Sequence, residues 1–173
     1  MRMKKKMIII SFVSILMALR ILGDEQHKET SPEEYLELHN AARASVGVPP
    51  LKWDVKLENI ARKNVNRLVK DCFEGKAEQT RDDEYGMNVA WNMGYAQYTG
   101  RDVVKGWLTQ KQYYDYKSNS CPHPNCICYT RIVWRESSHV GCARACCQKG
   151  CTIVMCLYNP PGNVPGERPY LLH

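Results

Sequence analysis

The sequence predicts an α+β domain in which helices come first and an antiparallel sheet follows, with disulfide bonds as staples. Two stretches ahead of residue 72 carry buried-type residues three and four apart behind a capping side chain, the signature of amphipathic helices. Three β-branched, alternating runs then crowd between residues 128 and 158. Nine cysteines in 173 residues add a disulfide framework.

Taken in order, the chain opens with the basic residues Arg2, Lys4, Lys5 and Lys6, followed by an apolar run from Met7 to Leu19 that Arg20 ends. A membrane span needs about 20 apolar residues. The shorter run reads as a secretory signal peptide over residues 1–23, cleaved near Gly23, with no stable membrane anchor. A short segment, residues 24–30, leads into the first helix. There Ser31 stands as N-cap, Pro32 at the first helical position and Glu34 three after the cap, which is a capping box. Tyr35, Leu38, His39 and Ala42 form its buried stripe, and the helix stops near Gly47. Asp54 caps a second helix, whose inner face is Leu57, Ile60, Ala61, Asn64, Val65 and Leu68 and which ends before Cys72.

The stretch from Phe73 to Gly86 is polar and without period, so it reads as a surface loop. A third helix is expected from Arg101 to Tyr116, placing Val103, Val104, Trp107 and Tyr114 on one side. Strands are expected over Cys128–Arg135, Val140–Cys147 and Thr152–Tyr158. Helices before strands give an α+β layered domain.

Charge narrows the function. The leader holds 5 of the 24 Lys and Arg and none of the 18 Asp and Glu, so the mature chain carries 19 minus 18, or +1. A nucleic-acid binder needs a basic stripe, and no Lys/Arg cluster survives in the mature chain. About 150 residues suit one domain, and no internal repeat divides them. No Asn-X-Ser/Thr acceptor for N-glycosylation occurs. An exported chain does not keep its thiols reduced, and an odd cysteine count leaves at least one thiol unpaired in a monomer.

Five blocks, "HNAARASVGVPPLKWD", "YGMNVAWNMG", "KQYYDYKSNSC", "YTRIVWRESSHVGCAR" and "CLYNPPGNVPGERPY", stand in the order and spacing of one family. On these blocks the chain resembles plant pathogenesis-related class 1 proteins of the CAP superfamily (cysteine-rich secretory proteins, antigen 5, pathogenesis-related). The resemblance implies an α-β-α sandwich, a central antiparallel sheet with helices on both faces, over residues 31–158, followed by a C-terminal arm, residues 159–173. It further implies the disulfides Cys72–Cys147, Cys121–Cys126 and Cys142–Cys156, where sequence alone leaves fifteen pairings of six cysteines open. On the chain-entropy account the long Cys72–Cys147 loop is worth about 4 to 5 kcal/mol and the short Cys121–Cys126 loop about 2. Cys128, Cys146 and Cys151 remain; a bridge from Cys146 to Cys151 across the "CQKG" turn is expected, which makes Cys128 the odd thiol.

Many members of that family line a central cleft with two His and two Glu that suit a divalent cation. The positions here that match those motifs hold Lys76, Met87, Gln110 and Cys128. An ammonium, a thioether, a neutral amide and one thiol do not make a zinc site, which needs about three or four convergent donors, so no metal or other cofactor is expected. His39 matches a block that is structural in the family. Nucleophilic chemistry at Cys128 would need a lowered pKa and a base, with His123 and His139 as candidates. A reduced thiol in a degenerate cleft, or an intermolecular bond, is the plainer reading of Cys128.

The last block resembles the segment from which plant relatives yield a short signalling peptide. Here the cut would follow Asn159 and release Pro160 to Tyr170, with Gly162, Asn163, Pro169 and Tyr170 matching the pattern. Leu157 departs from it, and Leu171, Leu172 and His173 extend past its usual end. Four prolines and two glycines suggest an exposed, extended arm. The expected function is a secreted, non-enzymatic defence protein of the apoplast, monomeric, acting through sterol or lipid binding, through a peptide recognised by a receptor, or both. Trp134 and the loop before it are the expected apolar contact. A hydrolase and an exported paralogue without activity are the alternatives.

Overall fold

The computed structural model describes residues 30–71, 84–92, 98–122, 126–146 and 151–171. The leader at residues 1–23, Cys72, Lys76, His123 and Cys147 lie outside them. Helix α1 spans Pro32–Ala44, strand β1 Lys52–Trp53, helix α2 Val55–Asp71, strand β2 Gly86–Asn92, helix α3 Gly100–Thr109, helix α4 Ile127–Ile132, strand β3 His139–Cys146 and strand β4 Thr152–Asn159. The sheet order is β1-β3-β4-β2, antiparallel except for the short β1–β3 pairing.

The helix starts are set by the side chains the sequence singled out. Ser31 Oγ accepts from the Glu34 N–H and Glu34 reaches back to the Ser31 N–H, satisfying donors that a helix leaves open. Asp54 Oδ1 accepts from the N–H groups of Lys56 and Leu57 and so starts α2. Thr99 and Asp102 form a second capping box at α3.

Strand pleating then sorts the core into two clusters. On one face Ala143, Ile153, Met155 and Leu157 pack against Leu57, Ala61, Val65 and Leu68 of α2. On the other, Val140, Cys142, Val154, Cys156 and Tyr158 meet Tyr35 of α1, Val103, Val104 and Trp107 of α3, and Tyr129 and Ile132 of α4. Helices thus cover both faces of the sheet.

Four expectations change. Residues 127–132 form a helix and not a strand. Tyr129, Thr130, Ile132 and Val133 are buried while Cys128 and Arg131 are half-exposed, a spacing of one, three and four that tertiary packing imposes on β-branched residues. The third helix ends at Thr109 and passes into a 3₁₀ turn, Gln110–Tyr113, rather than running to Tyr116. Tyr85 is buried and Gly86 opens β2, so the expected loop stops short of Gly86 and the sheet gains a strand paired with β4.

The fourth change concerns Cys146, which is a free thiol and does not bridge to Cys151. In the hairpin register Cys146 faces Thr152, so Cys151 belongs to the opposite face, where it packs with Ile153 and Met155. Cys121–Cys126 and Cys142–Cys156 are disulfides, the second joining directly paired residues of β3 and β4.

Candidate functional site

The α1 spacing brings three residues one helical turn apart, Tyr35, His39 and Arg43, onto the inner face, and all three are buried. His39 Nδ1 lies 2.7 Å from the Tyr35 carbonyl, which can only accept, so Nδ1 carries the proton and Nε2 accepts from the Tyr158 hydroxyl at 2.8 Å. Burial pushes the His39 pKa down to about 4, against a weaker upward pull from the Tyr35 carbonyl, with the Arg43 charge adding to the fall. The imidazole is neutral and both its nitrogens are occupied.

From Tyr158 the chain of bonds continues into β2 and α4. Asn88 Nδ2 donates to the Tyr158 oxygen at 3.2 Å and to the Cys128 carbonyl at 3.0 Å. Arg131 Nη1 donates to Asn88 Oδ1 at 3.2 Å and to the Met87 carbonyl at 2.6 Å. Gln110 Oε1 accepts from the Cys128 N–H at 3.0 Å. Cys128 and Gln110 therefore meet, whereas the Met87 side chain packs with the α2-side cluster.

Burial raises the Cys128 thiol above its ordinary value, with Arg131 and Gln110 pulling the other way. A thiol held up in this way is protonated at neutral pH and a poor nucleophile. His139 turns its Nδ1 to the Ser138 hydroxyl at the start of β3, opposite Asn159. Among the described residues no three His, Cys, Asp or Glu side chains cluster as metal ligands do.

Arg43 is the side chain that sequence reasoning missed. It is fully buried, and its guanidinium donates to the carbonyls of Pro49, Ile132, Trp134 and Ser137 at 2.6 to 2.9 Å. Burial lowers its pKa to about 10, which leaves it charged at neutral pH. Its position four after His39 and eight after Tyr35 was the available signal.

The C-terminal arm, expected as exposed and extended, is docked on the body. Asn159, Pro160 and Pro161 are exposed, but the chain beyond them lies across α4 and the loop at residues 114–121. Ser137 Oγ donates to the Pro160 carbonyl at 2.9 Å and Arg131 Nε to the Pro161 carbonyl at 3.2 Å. A Cβ at Gly86 would stand 1.9 Å from the Pro161 oxygen, so only glycine allows the arm this close to β2. Gly162 turns at φ +68° over the Trp134 ring.

Between arm and body lies a cavity of about 400 Å³. Tyr114, Ile127, Thr130 and Trp134 line it from the body and Val164 and Pro169 from the arm, with Arg131 and Asn163 among its polar edges. The Asn163 Oδ1 is buried without a hydrogen-bond partner.

The "Cysteine-rich secretory protein family" (CAP) profile matches residues 36–158. Pathogenesis-related protein 1C of Nicotiana tabacum is 42% identical over 159 residues, 91% of this chain and 92% of its own. Pathogenesis-related protein 1 of Arabidopsis thaliana is 37% identical, covering 94% of each chain. Among solved structures, the venom allergen-like protein 4 of Schistosoma mansoni aligns with a TM-score of 0.63 at 25% identity, over 85% of this chain and 97% of its own.

Proposed function

Because this chain belongs to the CAP family of cysteine-rich secretory proteins and matches plant pathogenesis-related proteins along most of its length, we propose that it is a defence protein exported to the apoplast that works by binding and not by catalysis. The basic and apolar leader and the disulfides support export. The neutral, fully engaged His39 and the protonated Cys128 support a role without bond-making chemistry.

The observation that carries the reading is the cavity beneath the arm. Its volume of about 400 Å³ falls within the range of small-molecule sites, roughly 300 to 1,000 Å³. Its walls mix Tyr114, Ile127, Trp134 and Val164 with the polar Asn119, Ser120, Arg131 and Glu167, which suits an amphipathic ligand such as a sterol or a lipid chain carrying a hydroxyl or carboxylate. Trp134 supplies part of the wall, and Asn163 stands at its polar edge.

Ile127 and Val164 are each 43% exposed and line the cavity, so Ile127→Glu and Val164→Glu test the site without emptying the core. Purified protein should take up a labelled sterol or fatty acid in equilibrium dialysis, and each variant should weaken uptake on the order of tenfold. Uptake equal to wild type in both variants, or none by wild type, overturns the ligand reading.

Peptide supply is the other half of the proposal: proteolysis after Asn159 would make the arm the source of a segment for a receptor. Mass spectrometry of material exported from stressed tissue should find fragments that begin at Pro160. Only intact Tyr158–Pro161 sequence under every stress would remove this half.

A further inference from the structure

The arm is held at its two ends by different chemistry, and the exposed bond lies at the weaker end. At the hinge, the Ser138 N–H donates to the Asn159 carbonyl at 3.0 Å, and Ser137 and Arg131 hold the next two carbonyls. Midway, Asn163 Nδ2 donates to the Ile127 carbonyl at 2.9 Å, while Pro165, Gly166 and Glu167 stay exposed.

The far end is anchored more deeply. The Arg135 N–H donates to the Pro169 carbonyl and its Nη1 to the Arg168 carbonyl, each at 2.7 Å. The Arg168 guanidinium donates to the carbonyls of Tyr116 and Lys117 and lies 4.8 Å over the Tyr116 ring. Tyr170 stacks on Tyr116 at 5.2 Å, meets Tyr114 edge-on at 6.2 Å, and is only 6% exposed.

The Asn159 carbonyl that Ser138 holds belongs to the Asn159–Pro160 bond itself, and every contact beyond it is made by atoms on the arm side of that bond. Hydrolysis there, by an external protease adding one water, leaves a carboxylate on Asn159 and a charged imino terminus on Pro160. The Arg168–Tyr170 end keeps every contact it had.

We propose that the surface formed by α4, Arg135 and residues 114–120 is a peptide-binding site whose ligand is the chain's own segment Gly162–Tyr170. Scission after Asn159 therefore nicks the protein without releasing the peptide, and escape is a second step governed by Arg168 and Tyr170. The inference takes its biological setting from the peptide reading above, but its test does not depend on natural cleavage. Departure of the segment also removes Val164 and Pro169 from the cavity wall, which couples ligand binding to peptide retention.

The test inserts a site-specific protease sequence between Asn159 and Pro160 in the full chain, at residues that are already exposed. After complete cutting, verified on a denaturing gel, the peptide should co-elute with the body on a sizing column. With Tyr170→Ala or Arg168→Ala it should escape on the order of tenfold to a hundredfold faster. Immediate loss of the unmodified peptide, or equal escape from both variants and the parent, overturns the proposal.

A second measurement needs no insertion. The Arg135 amide, which donates to Pro169 in the intact chain, should exchange its hydrogen slowly, and Tyr170→Ala should speed that exchange by a similar factor. Exchange at the unprotected rate in the parent protein sinks the anchor. Absence of natural fragments with retention after engineered cutting would discard the signalling reading and leave the binding site standing.

Discussion

Toward α2 the sheet presents Ile153, Met155 and Leu157 to Leu57, Ala61, Val65 and Leu68, and the contact is apolar packing. Toward α1 and α4 the same strands present Tyr158 and Asn88 to His39 and Arg131, while Arg43 draws four carbonyls together beside them. One face is stabilised by area removed from water, which is non-directional and tolerates repacking. The other adds, to an apolar cluster of its own, hydrogen bonds whose loss leaves buried groups unmatched. The face with directional bonds also fixes α4 and the residues around it, and so the cavity and the arm. Rigidity is placed where the proposed binding happens.

The largest effect should come from Arg43→Leu. The leucine fills part of the space but leaves the carbonyls of Pro49, Ile132 and Ser137 without the Arg43 donor, while that of Trp134 keeps the Ser137 N–H at 3.1 Å. At roughly 1 to 3 kcal/mol for each buried acceptor left open, and with some finding water, the expected loss is about 4 to 6 kcal/mol. Against a total of about 5 to 15 kcal/mol the variant is marginal or unfolded, as urea titration would read. Arg43→Lys should recover only part, since an ammonium cannot span carbonyls arranged for a planar fork. A shift below about 1 kcal/mol in Arg43→Leu would erase the contrast between the faces.

On the apolar face, Leu57→Ala should cost about 3 kcal/mol, the usual transfer and cavity loss for a buried leucine. That loss should be about the same at pH 5 and pH 7, because the Leu57 side chain packs among the apolar residues Ala61, Val65, Leu68 and Ile153. A pH-dependent loss would mean that the faces communicate.

The polar face should respond to pH through His39. Its ordinary pKa of 6.5 applies in the unfolded chain and about 4 in the folded one, because burial opposes the charge. Between those values the unfolded state binds more protons, so stability is present above pH 6.5 and falls as pH drops toward 4. The full loss is about 3 kcal/mol. The groups facing the ring, the Tyr35 carbonyl, the Tyr158 hydroxyl and the Arg43 cation, offer no anion to stabilise the imidazolium. Glu37 and Asp102 are held below the usual carboxylate range by Arg101 and by Thr99 respectively, so their contributions fade only at lower pH. His39→Gln should flatten the slope of stability between pH 6.5 and 5; an unchanged slope would assign it to another group.

Legibility followed the range of the forces involved. The starts of α1 and α2 were readable because Ser31, Glu34 and Asp54 act on donors within four residues, and β3 and β4 because their alternation is local. Helix α4 was misread because "YTRIVW" has strand-forming residues whose conformation is settled by contacts with α1, α3 and the arm. β2 is not legible in the sequence because its buried Asn88 interrupts an apolar pattern and is satisfied by Cys128, Arg131 and Tyr158, 40 to 70 residues away. Docking of the arm was hidden for the same reason. Its prolines and glycines describe a segment without partners of its own, and its anchors are Tyr116, Arg131 and Arg135. Of the four substituted cleft positions, the pairing of Cys128 with Gln110 is visible in the structure, and the Met87 side chain leaves for the other face.

The smallest effect should be that of Cys128→Ser, and its size separates a spectator thiol from a reactive one. The backbone of Cys128 is fixed by Gln110 and Asn88 whatever its side chain, so the substitution leaves those bonds in place. Burial outweighs the pull of Arg131 and Gln110 on the thiol, which therefore carries little thiolate at pH 7. Stability should change by less than about 1 kcal/mol, and sterol uptake and arm retention not at all. Alkylation of folded protein at pH 7 should run slower than that of free cysteine and accelerate on unfolding. Fast alkylation of Cys128 in the folded state, or a hydrolytic activity abolished by Cys128→Ser, would turn the polar face from a scaffold for binding into a reaction centre.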